Sequence, residues 1–440
     1  MDEFITLDLS ALLATLIVAL TCALLGNYLL LKKESLLGDS ISHSILPGIV
    51  IAYMIGGSRS IIPVFIGSML AGVLSSIFIW LLVRFGRTEP SSAMGVVFSI
   101  FFALGVVLIE SASLSGIDLD PDCLLHGQVE TIFWLPNSGV EISVFNALKN
   151  LPLEVVSSFI VFLFVVFSVV LFWKELSLLC FDRGLCQSQG FKPILLELFL
   201  LILVSVAVVA SFKIVGSILV VALLVVPPAC ARLLTNSLRL QFLYSLVFAM
   251  LGVIIGYGLA TRANLIFNIN GALNVAGSVA SVLGLMFILV SLLAPIYGII
   301  PRLCRNYLQR IITLKEDILG LLYRSEEGGK GELPLELFLA KLYSRFTSRL
   351  ALFSLVRDGQ VAFSGAYRLT EKGRDQAKEL VRSHRLWEVF LSSNIGLDAD
   401  HVHSTAENLE HIRSPILEKE LEKISKDSEF DPHGKPIPKN

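Results

Sequence analysis

Asp39 and His43 lie four residues apart in the stretch Gly38-Asp39-Ser40-Ile41-Ser42-His43-Ser44-Ile45-Leu46-Pro47-Gly48. On a helix that spacing puts both side chains on one face, one turn apart. A carboxylate oxygen beside an imidazole nitrogen suits a divalent first-row cation such as Mn, Fe or Zn. The alternative is structural, with Asp39 capping a helix start and His43 packed behind it. Spacing alone leaves both open. The flanking sequence is almost continuously apolar, and an ionisable group in such a segment is costly enough to be a functional candidate. Glu110 and Glu197, at the ends of two further apolar stretches, are weaker candidates because either can snorkel to an interface.

A second set of metal-type side chains lies near the C-terminus. His384 and Glu388 are four apart, and His403, Glu407, Glu410 and His411 follow at steps of four, three and one. Each set projects from one side of a helix, and histidines with carboxylates are borderline ligands for Mn(II), Fe(II) or Zn(II). One such pair is common on a soluble surface, where it forms a salt bridge. Two sets on consecutive helices point instead to metal. Upstream, Lys341, Arg345, Arg349 and Arg357 crowd residues 341–357 with no acid among them. That patch would attract phosphate, or it is a solvated basic helix face. Nothing beyond it argues for nucleic acid.

The elements that must position these residues divide near residue 300. Residues 1–301 hold 13 Lys+Arg and 16 Asp+Glu, whereas the last 139 residues hold 22 and 21. The mean hydropathy of +0.75 thus averages a polytopic membrane protein with a water-soluble domain. Apolar stretches of about 20 residues, each able to cross the bilayer as a helix, recur. The expected spans are 9–31, 41–57, 61–83, 92–113, 152–173, 193–211, 214–231, 240–260 and 272–296, with Pro47 and Pro227-Pro228 interrupting two. Lys and Arg fall in alternate short loops, which predicts the N-terminus outside and the C-terminus inside. The acidic Met1–Ser10 segment lacks a basic n-region, so the first span is expected to be retained. Six cysteines without a CxxC pair suggest neither a disulfide framework nor a zinc knuckle.

The expected fold is mainly α: a transmembrane permease-like domain over 1–300, a linker at 301–313, and two soluble domains at 314–370 and 371–440. In the soluble part, helices at Leu314–Tyr323, Leu335–Leu342 and Thr347–Val356 precede an alternating Gln360–Leu369 hairpin with Gly365 at its tip. Thr370 then caps a long helix, Glu371–Ser392. That order is a winged helix-turn-helix plan, whose last short helix enters a major groove.

Three blocks resemble the permease subunits of bacterial zinc/manganese/iron ABC transporters. They are Leu36 to Gly48, Met94-Gly95-Val96-Val97-Phe98-Ser99, and Val215-Gly216-Ser217-Ile218-Leu219-Val220 leading to Pro227 and Arg232. The resemblance covers nearly all of 10–300 and implies a homodimeric or pseudo-dimeric pore in a bacterial inner membrane, with Asp39 and His43 contacting metal. The loop from Trp173 through Phe181 and Asp182 to Gly190 is similar to the segment that docks on the ATPase, with Cys186 where alanine is usual. The chain has no G-x-x-x-x-G-K-[ST] loop, so ATP hydrolysis is expected in trans, as is an extracytoplasmic metal-binding protein.

The C-terminal part resembles the metal-activated winged-helix repressors of the diphtheria toxin repressor and manganese transport regulator family. The matching residues are Leu369-Thr370-Glu371-Lys372-Gly373, Ser383-His384-Arg385-Leu386-Trp387-Glu388, Val402-His403 through His411, and Asp431 to Pro438. The resemblance implies a dimer that binds operator DNA; the winged-helix plan and the basic patch make Arg345, Thr347 and Arg349 the expected contacts. It implies regulatory ligands at Asp317, His384, Glu388, His403, Glu407, Glu410 and His411, with Mn(II) or Fe(II) favoured over Zn(II). Gly320 stands where manganese-type members carry an acid, and Leu350 and Ala351 make the recognition helix more apolar than usual. The expected protein is an importer permease carrying a metal-dependent repressor released by proteolysis. The alternative makes the C-terminal domain a sensor that gates transport without binding DNA.

Overall fold

The computed structural model describes residues 8–56, 61–114, 127, 129–132, 151–262, 273–329, 345–411, 415–424 and 429–438. The chain forms two compact units, Met1–Pro301 and Arg302–Asn440.

The first unit is helical: α1 (Leu9–Leu31), α2 (Leu37–Ser44), α3 (Leu46–Gly56), α4 (Ile61–Phe85), α5 (Pro90–Leu114), α6 (Leu153–Leu171), α7 (Trp173–Phe181), α8 (Arg183–Ser188), α9 (Pro193–Leu234), α10 (Leu238–Thr261) and α11 (Val275–Leu293). Among the described residues, seven helices are long and apolar enough to cross a membrane: α1, α4, α5, α6, α9, α10 and α11. Two features separate this from the nine continuous spans expected. The second expected span is broken at Ile45 into α2 and α3, of 8 and 11 residues. At 1.5 Å per residue neither reaches across about 30 Å of hydrocarbon. The sixth and seventh expected spans follow one another as the two arms of α9, parted by a kink at Gly216, which leaves helical geometry (φ 76°, ψ 171°). Pro227 and Pro228 lie inside α9 without ending it.

Helix α1 packs mainly on α9 and α10. Asn27 joins α1 to α10, donating to Ser245 Oγ (2.6 Å) and accepting from Gln241 Nε2 (3.1 Å). In a low-dielectric interior such paired amides hold helices together. Outward faces carry exposed Phe85, Val107, Phe167 and Val170, as lipid-facing surfaces do. Most of the acidic loop expected between 114 and 151 lies outside the described residues.

The second unit begins within α12 (Ile299–Glu327), so the expected linker at 301–313 is helical. Then follow α13 (Arg345–Arg357), the hairpin β1 (Val361–Phe363) and β2 (Tyr367–Leu369), α14 (Glu371–Ser393), α15 (Ala399–Leu409) and α16 (Pro415–Ile424). The strands pair antiparallel, Val361 to Leu369 and Phe363 to Tyr367, with Gly365 at φ 91° in the turn. The expected helix Leu335–Leu342 and Lys341 lie outside the described residues. Thr370 Oγ1 accepts from Gly373 N (3.1 Å), capping α14 as its position suggests. Helix α14 serves two cores. Ala377 joins Ile318, Leu322, Leu352 and Leu355, whereas Leu386 and Leu391 pack with Val402, Ala406 and Leu421.

Candidate metal centres

Helix α2 carries Asp39 and His43 one turn apart, with His43 Nε2 3.5 Å from Asp39 Oδ1. Asp39 is not the helix cap: Leu36 holds that position and no side chain caps α2. The side chain of Asp39 is 48% exposed and that of His43 23%, so both keep access to solvent-accessible space. His43 is held edge-on by Phe98 and Phe102 of α5, at centroid distances of 5.2 and 5.9 Å. Ser40 Oγ donates to Met94 O (3.1 Å), fixing α2 on the same helix. Gly48 of α3 and Gly67 of α4 meet backbone to backbone; a Cβ on either would overlap the other's carbonyl. Two donors leave the rest of a cation's shell to water, which suits an ion that must be released again.

The segment expected to dock on an ATPase forms the helical corner α7–α8. Asp182 Oδ1 accepts from Gly184 N (2.8 Å) and Leu185 N (3.0 Å), starting α8. Phe181 and Leu185 are exposed apolar side chains on this corner, Cys186 is buried, and Gly190 (φ 86°) turns the chain towards α9. Glu197 pairs with Arg183 at 3.2 Å, which accounts for that carboxylate.

The second unit gathers six of the expected C-terminal ligands into two groups that could hold a metal ion, His384–Glu388–His403 and Asp317–Glu410–His411. In the first, His384 Nε2, Glu388 Oε1 and His403 Nδ1 form a triangle with edges of 3.0, 3.1 and 2.8 Å. Adjacent donors of an octahedral ion with bonds of about 2.1 Å stand about 3.0 Å apart, so this donor set fits a divalent cation. In the second group His411 Nε2 lies 3.2 Å from Asp317 Oδ1 and 4.0 Å from Glu410 Oε1. Glu410 links the groups, its Oε2 lying 2.5 Å from His384 Nδ1, off the line of a good hydrogen bond. Glu407 belongs to neither group. It is half-exposed, with Oε1 3.5 Å from His403 Nε2 and 3.9 Å from Arg324. Carboxylates on the far nitrogen of a ligating histidine orient its ring.

Burial pushes Glu388 up, but hydrogen bonds from His384 and His403 outweigh it and hold the carboxyl down at about 2. Burial likewise pulls His384 down, while Glu388 and Glu410 more than compensate and its net shift is upward. Hydrogen bonds to Asp317 and Glu316 raise His411 to about 10. Spacing along a helix did not single out Glu316, Arg324 or His433, although each touches these groups.

Of the expected DNA contacts, Arg345 and Thr347 open α13 and Arg349 is exposed on it. The same helix exposes Phe346, Leu350 and Phe353, while Ala351 and Leu352 are buried in the core.

The sequence matches the ABC 3 transport family over residues 2–134 and 142–299. The chain belongs to that family: it is a multi-pass permease subunit of an ABC transporter and is not itself an enzyme. Residues 370–439 match the iron dependent repressor, metal binding and dimerisation domain, so the permease is fused to a domain of the diphtheria toxin repressor family. A "Manganese transport system membrane protein MntC" of Halalkalibacterium halodurans is 31% identical over 67% of this chain and 90% of that protein. A "Probable metal transport system membrane protein" of Chlamydia trachomatis is 27% identical over 99% of this chain and 96% of its own length, spanning both units. Among solved structures, "PsaBC from Streptococcus pneumoniae in complex with Fab" aligns with 67% of this chain and 95% of that chain, at 25% identity and a TM-score of 0.52.

Proposed function

We propose that this chain is the permease of an importer for Mn(II), Fe(II) or Zn(II), and that its C-terminal domain senses the imported metal and acts as a metal-dependent repressor. The observation that carries this reading is the recurrence of His–carboxylate donor sets in both units, Asp39–His43 in the first and two triads in the second. Relatives named for manganese and zinc transport support the cargo class. Asp39 and His43 would take the place of part of the ion's water shell during passage, while the α7–α8 corner would couple the pore to an ATPase acting in trans. The remaining partners are an extracytoplasmic metal-binding protein and a second permease copy or homologue. The alternation of basic loops supports an orientation with the second unit in the cytoplasm, and the permease family supports a bacterial inner membrane.

In the second unit Asp317 on α12 faces Glu410 and His411 just beyond α15. A divalent ion would supply the charge that lets these three converge. Since α12 and α13 share one core, fixing α12 against α15 also fixes α13. Arg349 would then meet phosphate. The state favoured by the metal gains stability in proportion to its differential affinity.

A second reading, in which the domain gates transport and binds no DNA, is favoured by the exposed Phe346, Leu350 and Phe353, an apolar face better suited to protein than to phosphate. Mobility shifts with the promoter of its own operon, run with and without Mn(II), separate the two. The repressor reading expects a salt-sensitive, metal-dependent shift that Arg349→Ala weakens without changing metal affinity. No shift under either condition, from protein that binds metal, overturns it and leaves the gate.

A further inference from the structure

We propose that the first half of α12 is a membrane-surface helix, whose apolar side enters the headgroup region of the bilayer and whose arginines meet anionic phospholipid headgroups. From Ile300 the apolar residues Leu303, Cys304, Tyr307, Leu308 and Ile311 follow at steps of three, one, three, one and three, the repeat of one helix side. Arg302, Arg305, Asn306, Gln309, Arg310 and Thr313 take the opposite side. Every residue from Arg302 to Arg310 is exposed, with Leu303 at 61% and Leu308 at 59%. Leu314 is where the helix enters the core of the second unit. At 1.5 Å per residue the stretch 300–313 is about 21 Å long. That is too short to cross about 30 Å of hydrocarbon, and its arginines oppose crossing, so it suits lying along the surface.

The chain delivers this helix to the bilayer boundary. Helix α11, long and apolar enough to cross a membrane, ends at Leu293. Ala294 leaves helical geometry (φ −54°, ψ 129°), and Gly298 N donates to Ala294 O (2.8 Å), so the chain turns before α12 begins. A Cβ on Gly298 would meet Ala294 O at 2.2 Å, so this turn needs glycine. Tyr297 Oη donates to Asn236 Oδ1 (2.8 Å), in the short connection between α9 and α10. The start of α12 therefore stands level with the ends of two further apolar helices. Tyr297 and Tyr307 are half-exposed, as aromatic rings at a headgroup boundary are. Charge selects lipid over a second copy of the helix. No acid lies between Ala294 and Lys315, so a paired copy would set arginine against arginine, whereas lipid phosphates neutralise them. The apolar side is also broader than the two-per-heptad seam of a coiled coil.

The test uses the full chain reconstituted in vesicles of phosphatidylcholine alone or mixed equally with phosphatidylglycerol. Hydrogen exchange of the unmodified chain is expected to slow over 300–313 at least about tenfold in the anionic vesicles. Arg302→Gln/Arg310→Gln should remove most of that slowing and leave exchange in α14 unchanged. A fluorophore on Cys304, with the other cysteines replaced by alanine, should be quenched by phospholipid carrying a doxyl group near its headgroup. The same fluorophore placed by Gln309→Cys in a Cys304→Ala chain should escape quenching. Equal exchange over 300–313 in both lipids would overturn the proposal, as would equal quenching at the two positions. Excimer emission from pyrene on Cys304, without quenching by the doxyl lipid, would overturn it in favour of a seam between two copies.

Discussion

His411 carries a proton at neutral pH, because Asp317 and Glu316 raise it from the ordinary 6.5 to about 10. A metal ligating through this imidazole must displace that proton, so binding at the Asp317–Glu410–His411 group should tighten with rising pH and release protons. Calorimetry in two buffers of different ionisation enthalpy measures the release; an affinity flat from pH 6 to pH 9 would contradict it. Without metal the sign for stability is opposite. A histidine raised from 6.5 to about 10 contributes in full below about 6.5, and that contribution is lost as pH climbs towards 10. Glu388, lowered from 4.5 to about 2, contributes above about 4.5 and loses its contribution as pH falls towards 2. Thermal unfolding of the metal-free second unit within the chain should therefore be most resistant, as far as these two groups decide, between about pH 4.5 and 6.5. His384, Glu388, His403, Glu410 and His411 were legible in the sequence because histidine and carboxylate recur at helical spacing, whereas Asp317, on a distant helix, entered only through the family resemblance. Glu316, Arg324 and His433 were not, since they reach the ligands across tertiary contacts that no spacing records.

At the scale of elements, the apolar runs predicted helices well and their breaks less well. The expected spans kept Pro227 and Pro228 inside a helix and broke the chain between 211 and 214; α9 does pass through the prolines, and it leaves helical geometry at Gly216, whose φ and ψ lie in a region that only glycine occupies readily. Gly127 packs directly over it, where a Cβ would overlap the backbone at Val215 and Gly216. Gly216→Ala should cost about 1–3 kcal/mol through backbone strain, read as a lower Tm of the detergent-solubilised chain. An unchanged Tm would mean that α9 runs through without a required break. Likewise, Thr370→Ala removes the cap of the helix that bears His384 and Glu388, and should cost about 1 kcal/mol in unfolding of the second unit. The expected linker at 301–313 reads as such only from its change in charge. Its Ile, Leu and Tyr recur at helical spacing, and the structure continues α12 through it. Proteolytic release of the C-terminal part through 301–313 would therefore require that helix to open first.

At the scale of the whole molecule, two units of different solvent preference carry donor sets of the same chemistry. The family match defines the first as a permease, and residues 370–439 match a metal-binding and dimerisation domain. The pairing makes sense if one ion is both cargo and signal, and that is the central claim. Its most direct test is uptake of radioactive manganese by cells lacking their own importers and supplied with this chain, its ATPase and its binding protein. The account predicts uptake by the wild type, similar loss in Asp39→Ala, His43→Ala and the double variant because the pair acts as one site, and continued uptake in His384→Ala. Full uptake by the Asp39→Ala/His43→Ala double variant would contradict it.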